Sequence, residues 1–138
     1  MEAIDAKVRI ASEADIVSAR QASRELALEV GFGATDMALI ATAISELARN
    51  IWQYAGSGCI EMRIVEDAGR RGISIVARDE GPGIADTAQA MRDGYSTGGG
   101  LGLGLPGTKR MMDDFELTSA PGKGTTVAVV KWLRGGGR

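Results

Sequence analysis

The chain has 138 residues, enough for one domain with a two-layer core but not for a second catalytic domain. Hydrophobic residues make up 44%, charged residues 25% and the formal net charge is -2, which excludes a disordered chain and the electrostatic footprint of a duplex-coating protein. Histidine is absent and Cys59 is the single cysteine, which excludes internal disulfides, Ser/His and Cys/His dyads, most zinc sites and phosphorylation on a histidine of its own.

The N-terminus, MEAIDAKVRI, lacks a basic stretch followed by an apolar one, and no apolar run is long enough to cross a bilayer, which predicts a cytoplasmic protein with no membrane partner. AKVRIA, from Ala6, alternates as a short strand does. Ser12 with Asp15 is an N-terminal capping signal, and Ile16, Ala19, Leu26, Ala27 and Val30 then keep helical spacing until Gly31 and Gly33. A second helix is predicted from Thr35 to Ala55 on Met37, Ile40, Ile44, Leu47, Ile51 and Tyr54, with Gly56 as its stop. From Ile60 the period changes to two. Ile60, Met62 and Ile64 alternate with Glu61, Arg63 and Val65, DAGRRG turns the chain and ISIVARD returns, an antiparallel hairpin.

A short helix over Asp86 to Arg92, the glycine stretch STGGGLGLGLPG and a helix over Gly107 to Phe115 follow. FELTSA, PGKG and TTVAVVKWL form a final hairpin, and residues 135–138 are expected to be a flexible tail. The fold class is therefore α/β in the broad sense, a single two-layer α+β domain over residues 1–138. Its sheet is expected to be mixed, mostly antiparallel, with helices on one face.

Four clusters can carry chemistry. Glu46 and Asn50 lie four apart on the second helix, to one side of its apolar stripe, facing a groove or water. Alone they read equally as a solvated helix face, and Arg49 beside them as a phosphate contact or a solvated charge. Asp79 ends a strand before Gly81, Pro82 and Gly83; alone this is a Gly-Pro turn, yet a carboxylate beside bare backbone also suits a flat amino-bearing ring. The glycine stretch matches G-x-G-x-x-G at Gly102, Gly104 and Gly107, but no buried strand precedes it, so a dinucleotide fold is rejected. Unhindered amides leading into a helix N-terminus instead suit a lid that closes over polyphosphate, anchored by Leu101, Leu103 and Leu105. The fourth cluster, PGKGT, alone is a hairpin turn.

In this order the four clusters resemble the boxes of the GHKL ATPases, with the Bergerat-type fold of that family. Glu46 and Asn50 look like the N box, Asp79, Gly81 and Gly83 the G1 box, the run Gly98 to Leu105 the G2 box of an ATP lid, and Gly122, Gly124 and Thr125 the G3 box. The likeness spans nearly the whole chain. With no histidine and no room for a transducer domain, it points to the small anti-sigma-type protein serine kinases, and among them TAISELARNIWQYAG, DEGPGI and DGYSTGGGLGLGLPGTKRMMDDFEL look most like stressosome switch kinases.

The resemblance implies ATP and Mg2+ as cofactors, and it implies roles. Asp79 would accept from the adenine amino group, Gly81 and Gly83 with Thr125 would shape the adenine pocket, and Asn50 would hold the metal. The lid residues Gly98, Gly99, Gly100, Leu101, Gly102, Leu103 and Gly104 would cradle the phosphates, and Glu46 would be the catalytic general base. It further implies STAS-domain antagonist and scaffold proteins of a stressosome as partners, a downstream phosphatase or other output protein, and no nucleic acid. IWQYAG stands where anti-sigma members usually carry a histidine, which counts against sigma-factor binding. The acidic run Asp113, Asp114 and Glu116 offers a surface that would repel a phosphorylated partner. A nucleotide-gated protein-binding switch without phosphoryl transfer is the alternative.

Overall fold

The structure is a computed structural model and describes residues 4–83 and 104–134. The expected helix over Asp86 to Arg92, the lid residues Gly98, Gly99, Gly100, Leu101, Gly102 and Leu103, and the tail at 135–138 lie outside the described residues. The elements run β1 (Ala6–Ile10), α1 (Ala14–Val30), α2 (Ala34–Ala55), β2 (Gly58–Asp67), β3 (Arg70–Asp79), α3 (Gly104–Met111), β4 (Asp114–Ser119) and β5 (Thr125–Trp132).

The strands form one sheet in the order β1-β2-β3-β5-β4. All four pairings are antiparallel, so among the described residues the sheet carries no parallel pair. Ala68 and Gly69 both take positive φ (54° and 82°), which places the β2–β3 turn on these two residues and extends both strands through the rest of DAGRRG. The turn preference for a right-handed twist thus outweighs the polar composition of the segment.

Alternation along the strands decides which face is covered. Ile60, Ala77 and Val127 align across β2, β3 and β5, as do Met62, Ile75 and Val129, and all six are buried. Against this face α1 contributes Ile16, Ala19, Leu26, Ala27 and Val30, and α2 contributes Ile40, Ala43, Ile44, Leu47, Ala48 and Ile51. Tyr54, placed on that stripe from its spacing, is instead exposed. Among the described residues no helix is long and apolar enough to cross a membrane.

Three helix ends differ from the sequence pattern. Ser12 does not cap α1 through its side chain; Asp15 reaches back and its Oδ2 accepts from the Ala11 N–H at 2.8 Å. The last helix begins at Gly104 and ends at Met111, not at Gly107 and Phe115. Pro106 is tolerated inside the first turn because its missing N–H would have no partner there. Phe115 is drawn into β4, where it pairs with Val129. The buried Lys131 Nζ donates to the Met111 carbonyl at 2.9 Å and so closes the C-terminus of α3.

The uncovered face has its own organising centre. Glu61, 7% exposed, accepts from Arg78 Nη1 at 2.7 Å, with Arg63 at 3.6 Å and Lys7 at 3.9 Å. The hydrogen bond from Arg78 holds its carboxyl below the usual carboxylate range, with the charges of Arg78, Arg63 and Lys7 acting in the same direction against burial. A lowered folded value stabilises the fold above the ordinary carboxylate range, and the contribution disappears as pH falls through that lowered value. Glu61→Gln is therefore expected to lower the unfolding free energy at neutral pH by about 1 kcal/mol, and the midpoint with it, since Arg78 and Lys7 are half in water. Thermal unfolding of both proteins from neutral to strongly acidic pH checks this: the gap should close in acid, and a constant gap would assign Glu61 a packing role only.

Candidate functional site

Two turns meet at one end of the sheet beside the C-terminal end of α2, and a third segment lies further along that helix. The first is the end of β3, where Asp79 pairs with Gly58 on one side and Thr125 on the other. Antiparallel alternation would turn a side chain here into an ordinary strand position. The chain instead breaks after Asp79, whose Oδ1 accepts from the Gly81 N–H at 3.0 Å. That bond fixes the carboxylate, while its second oxygen makes no hydrogen bond among the described residues.

Glycine is required around Asp79 by space as well as by dihedral angle. A Cβ on Gly81 would lie 2.6 Å from Ala55 Cβ, so bare backbone brings the loop onto the end of α2, one turn beyond Asn50. Gly83 has φ of 80°, and a Cβ there would lie 2.0 Å from the Ala120 carbonyl oxygen. Gly124 has φ of 76° and would place a Cβ 2.2 Å from the Asp79 carbonyl oxygen. The loop after β3 and the β4–β5 turn are thus packed backbone on backbone, tied further by the Gly122 N–H donating to Pro82 O at 2.7 Å. The two turns form one cradle, which neither turn signal indicates alone.

The second segment is the β4–β5 hairpin. Thr125 is held by Ser119, whose Oγ lies 2.9 Å from Thr125 Oγ1 and donates to Gly124 O at 2.8 Å. Ser119 is a residue that sequence reasoning missed. Its signal is the register across PGKG, which sets Ser119 opposite Thr125.

The third segment is the stretch of α2 that carries Glu46, Arg49 and Asn50. Asn50 is half-buried. Glu46, expected to face a groove or water, is buried at 3% exposure. Arg49 Nη1 approaches Glu46 Oε2 at 3.7 Å. Both atoms are inaccessible, and neither has a hydrogen-bond partner among the described residues. α3 packs against α2, which brings Gly104 and the buried Leu105 to the same helix.

These residues suit a purine nucleotide with Mg2+. An anchored carboxylate with one free acceptor fits an exocyclic amine, and contacts that exclude a Cβ leave room for a flat ring. Among the described residues no group of three or more His, Cys, Asp or Glu gathers as a metal cage. Mg2+ takes one or two protein oxygens together with phosphates and water, and Asn50 could offer one such oxygen.

The acidic run divides in the fold. Asp113 Oδ2 accepts from the Trp132 N–H at 2.7 Å and Oδ1 pairs with Arg134, while Asp114 Oδ2 accepts from the Trp132 indole at 3.1 Å. These two carboxylates hold the end of β5; Asp114 and Glu116 are the exposed members, and Asp113 is half-buried.

A family model described as histidine kinase-like ATPase domain matches residues 10–131. The chain is 58% identical over 127 residues to the serine/threonine-protein kinase RsbT of Bacillus subtilis (strain 168), covering 92% of this chain and 96% of that protein. It is 35% identical over 106 residues to the anti-sigma F factor of Caldanaerobacter subterraneus subsp. tengcongensis, covering 71% of each. The anti-sigma F factor of Thermoanaerobacter sp. (strain X514) is 33% identical over 104 residues, again covering 71% of each chain.

Proposed function

This chain belongs to the histidine kinase-like ATPase family, is of its GHKL type and is a protein serine/threonine kinase, and we propose that it works in the cytoplasm with ATP and Mg2+ on STAS-domain antagonist and scaffold proteins of a stressosome. The observation that carries this reading is the burial of Glu46 at 3% exposure on the helix that also bears Asn50. Removing a carboxylate from water is costly, and a domain that only changes shape on binding a nucleotide has no need of a proton acceptor there.

In this mechanism Asp79 accepts from the adenine amino group, while Gly81, Gly83 and Thr125 leave the ring its place. Asn50 contributes its side-chain oxygen to the metal. Backbone amides of the lid, from Gly98 to Gly104, receive the phosphate oxygens at the start of α3, where the helix dipole favours negative charge. Mg2+ supplies charge neutralisation on the phosphates. Glu46 would take the proton of the incoming serine or threonine hydroxyl as its oxygen bonds to the γ-phosphorus and the bond from that phosphorus to the bridging oxygen breaks, with ADP as the leaving group.

Phosphorylation of the scaffold then releases the kinase to a downstream phosphatase or other output protein. A phosphoserine adds about -1.5 to -2 charge, which costs desolvation and repulsion against an acidic surface, in a chain of net charge -2. Incubation with labelled ATP and a STAS-domain protein encoded beside this chain is expected to move label onto a serine or threonine. Phosphorylated scaffold should then bind several-fold more weakly, and added salt should narrow the difference. Nucleotide-dependent binding without label transfer would establish the nucleotide-gated switch instead, and equal affinity for both scaffold forms would sink release while leaving the kinase.

A further inference from the structure

Arg49 is the residue in the α2 cluster with no role in the scheme above. Its position three residues after Glu46 puts both side chains on one side of the helix. The side chain is 25% exposed, yet Nη1 itself is inaccessible and lies 3.7 Å from the equally inaccessible Glu46 Oε2. That separation is inside the range of strong charge attraction and outside that of a hydrogen bond.

The distance matters chemically. A carboxylate at 3% exposure with no counter-charge carries a large desolvation cost in its ionised form, and only the ionised form accepts a proton. At 3.7 Å Arg49 supplies the counter-charge without a hydrogen bond, at an oxygen that is itself closed to solvent. Arginine suits this better than lysine, being a broad, weakly hydrated cation that keeps its charge when buried.

We infer that Arg49 is a positioning residue for phosphoryl transfer: its guanidinium, 3.7 Å from Oε2, orients the Glu46 carboxylate for the protein substrate. The inference rests on Glu46 being the general base. Arg49 acts through Glu46 and contributes little to nucleotide binding.

The test is a cycle of Arg49→Gln, Arg49→Lys, Glu46→Gln and the double variant Glu46→Gln/Arg49→Gln, each measured for ATP and ADP affinity by calorimetry and for turnover on a STAS-domain substrate at saturating ATP. Arg49→Gln is expected to leave both nucleotide affinities within about twofold of wild type and to slow transfer about a hundredfold, the loss that an ångström of misplacement of a reacting group produces. Arg49→Lys keeps the charge and should recover most of that rate. The double variant should be no slower than Glu46→Gln alone, because the two residues act as one unit.

Wild-type turnover in Arg49→Gln overturns the inference. Loss of ATP affinity with ADP affinity intact overturns it in favour of a direct contact to the terminal phosphate. Additive losses in the double variant overturn it in favour of independent roles. If Glu46→Gln itself turns over normally, the general-base reading fails and Arg49 falls with it, so the two failures are distinguishable. Where Arg49→Gln does not fold, Arg49→Lys decides: turnover near wild type supports the charge role, and a loss as deep as that of Glu46→Gln overturns it.

Discussion

Glu46→Gln is expected to bind Mg-ATP as the wild type does and to transfer phosphate roughly 10² to 10⁴-fold more slowly, the range assigned to a positioned general base. The substitution is nearly isosteric, so the buried site on α2 should keep its shape. It removes the charge that Arg49 faces at 3.7 Å and the ability to take a proton, while leaving Asp79 and Thr125 untouched. Asn50→Ala should lose nucleotide affinity as well as transfer, because Asn50 is proposed to hold the metal through which the phosphates are bound. Single-turnover transfer with saturating nucleotide separates the two. Wild-type transfer by Glu46→Gln would leave the glutamate a structural residue at most.

Asp79→Asn should weaken ATP by tenfold or more. A charge-assisted hydrogen bond contributes about 1.5 to 3 kcal/mol, and each 1.4 kcal/mol is a factor of about ten. The geometry sharpens the argument. Asp79 Oδ1 already accepts from the Gly81 N–H at 3.0 Å, so the other oxygen must also accept if an amino group binds there. An amide has one oxygen. Whichever way the substituted side chain turned, a donor would face a donor, either at Gly81 or at the ligand. Calorimetric titration checks the affinity, with thermal unfolding as the control for folding, and unchanged affinity would remove Asp79 from the site.

Much of this is legible without coordinates. Helical spacing in α1 and α2 and period-two alternation in β2 and β5 are local, because each reports which side of one element is apolar. Ile40, Ile44, Leu47 and Ile51 follow from spacing alone and all four are buried. The same reasoning fails for Tyr54, since a stripe says which side faces inward and not what covers each residue on it. It fails for the start of α3 because Pro106 reads as a boundary, although the first turn accepts proline. The order of Glu46, Asn50, Asp79, Gly83 and Thr125 along the chain is likewise readable, through resemblance, while their separate physical readings stay bland.

What the sequence determined by itself is the set of elements, the apolar faces that must be covered and the candidate residues with their chemistry, since all of these follow from neighbours a few positions apart. Tertiary structure decided the rest. Glu61 is paired with Arg78 because β2 and β3 lie side by side, and Asp113 and Asp114 hold Trp132 because α3 ends next to β5. The glycines at 83 and 124 turn two unrelated loops into one cradle because the carbonyls of Ala120 and Asp79 leave no room for a Cβ. Glu46 Oε2 and Arg49 Nη1 are shut off from water on the helix that α3 packs across. Burial and pairing of charges are properties of what lies opposite in space, and residues distant in sequence supply it.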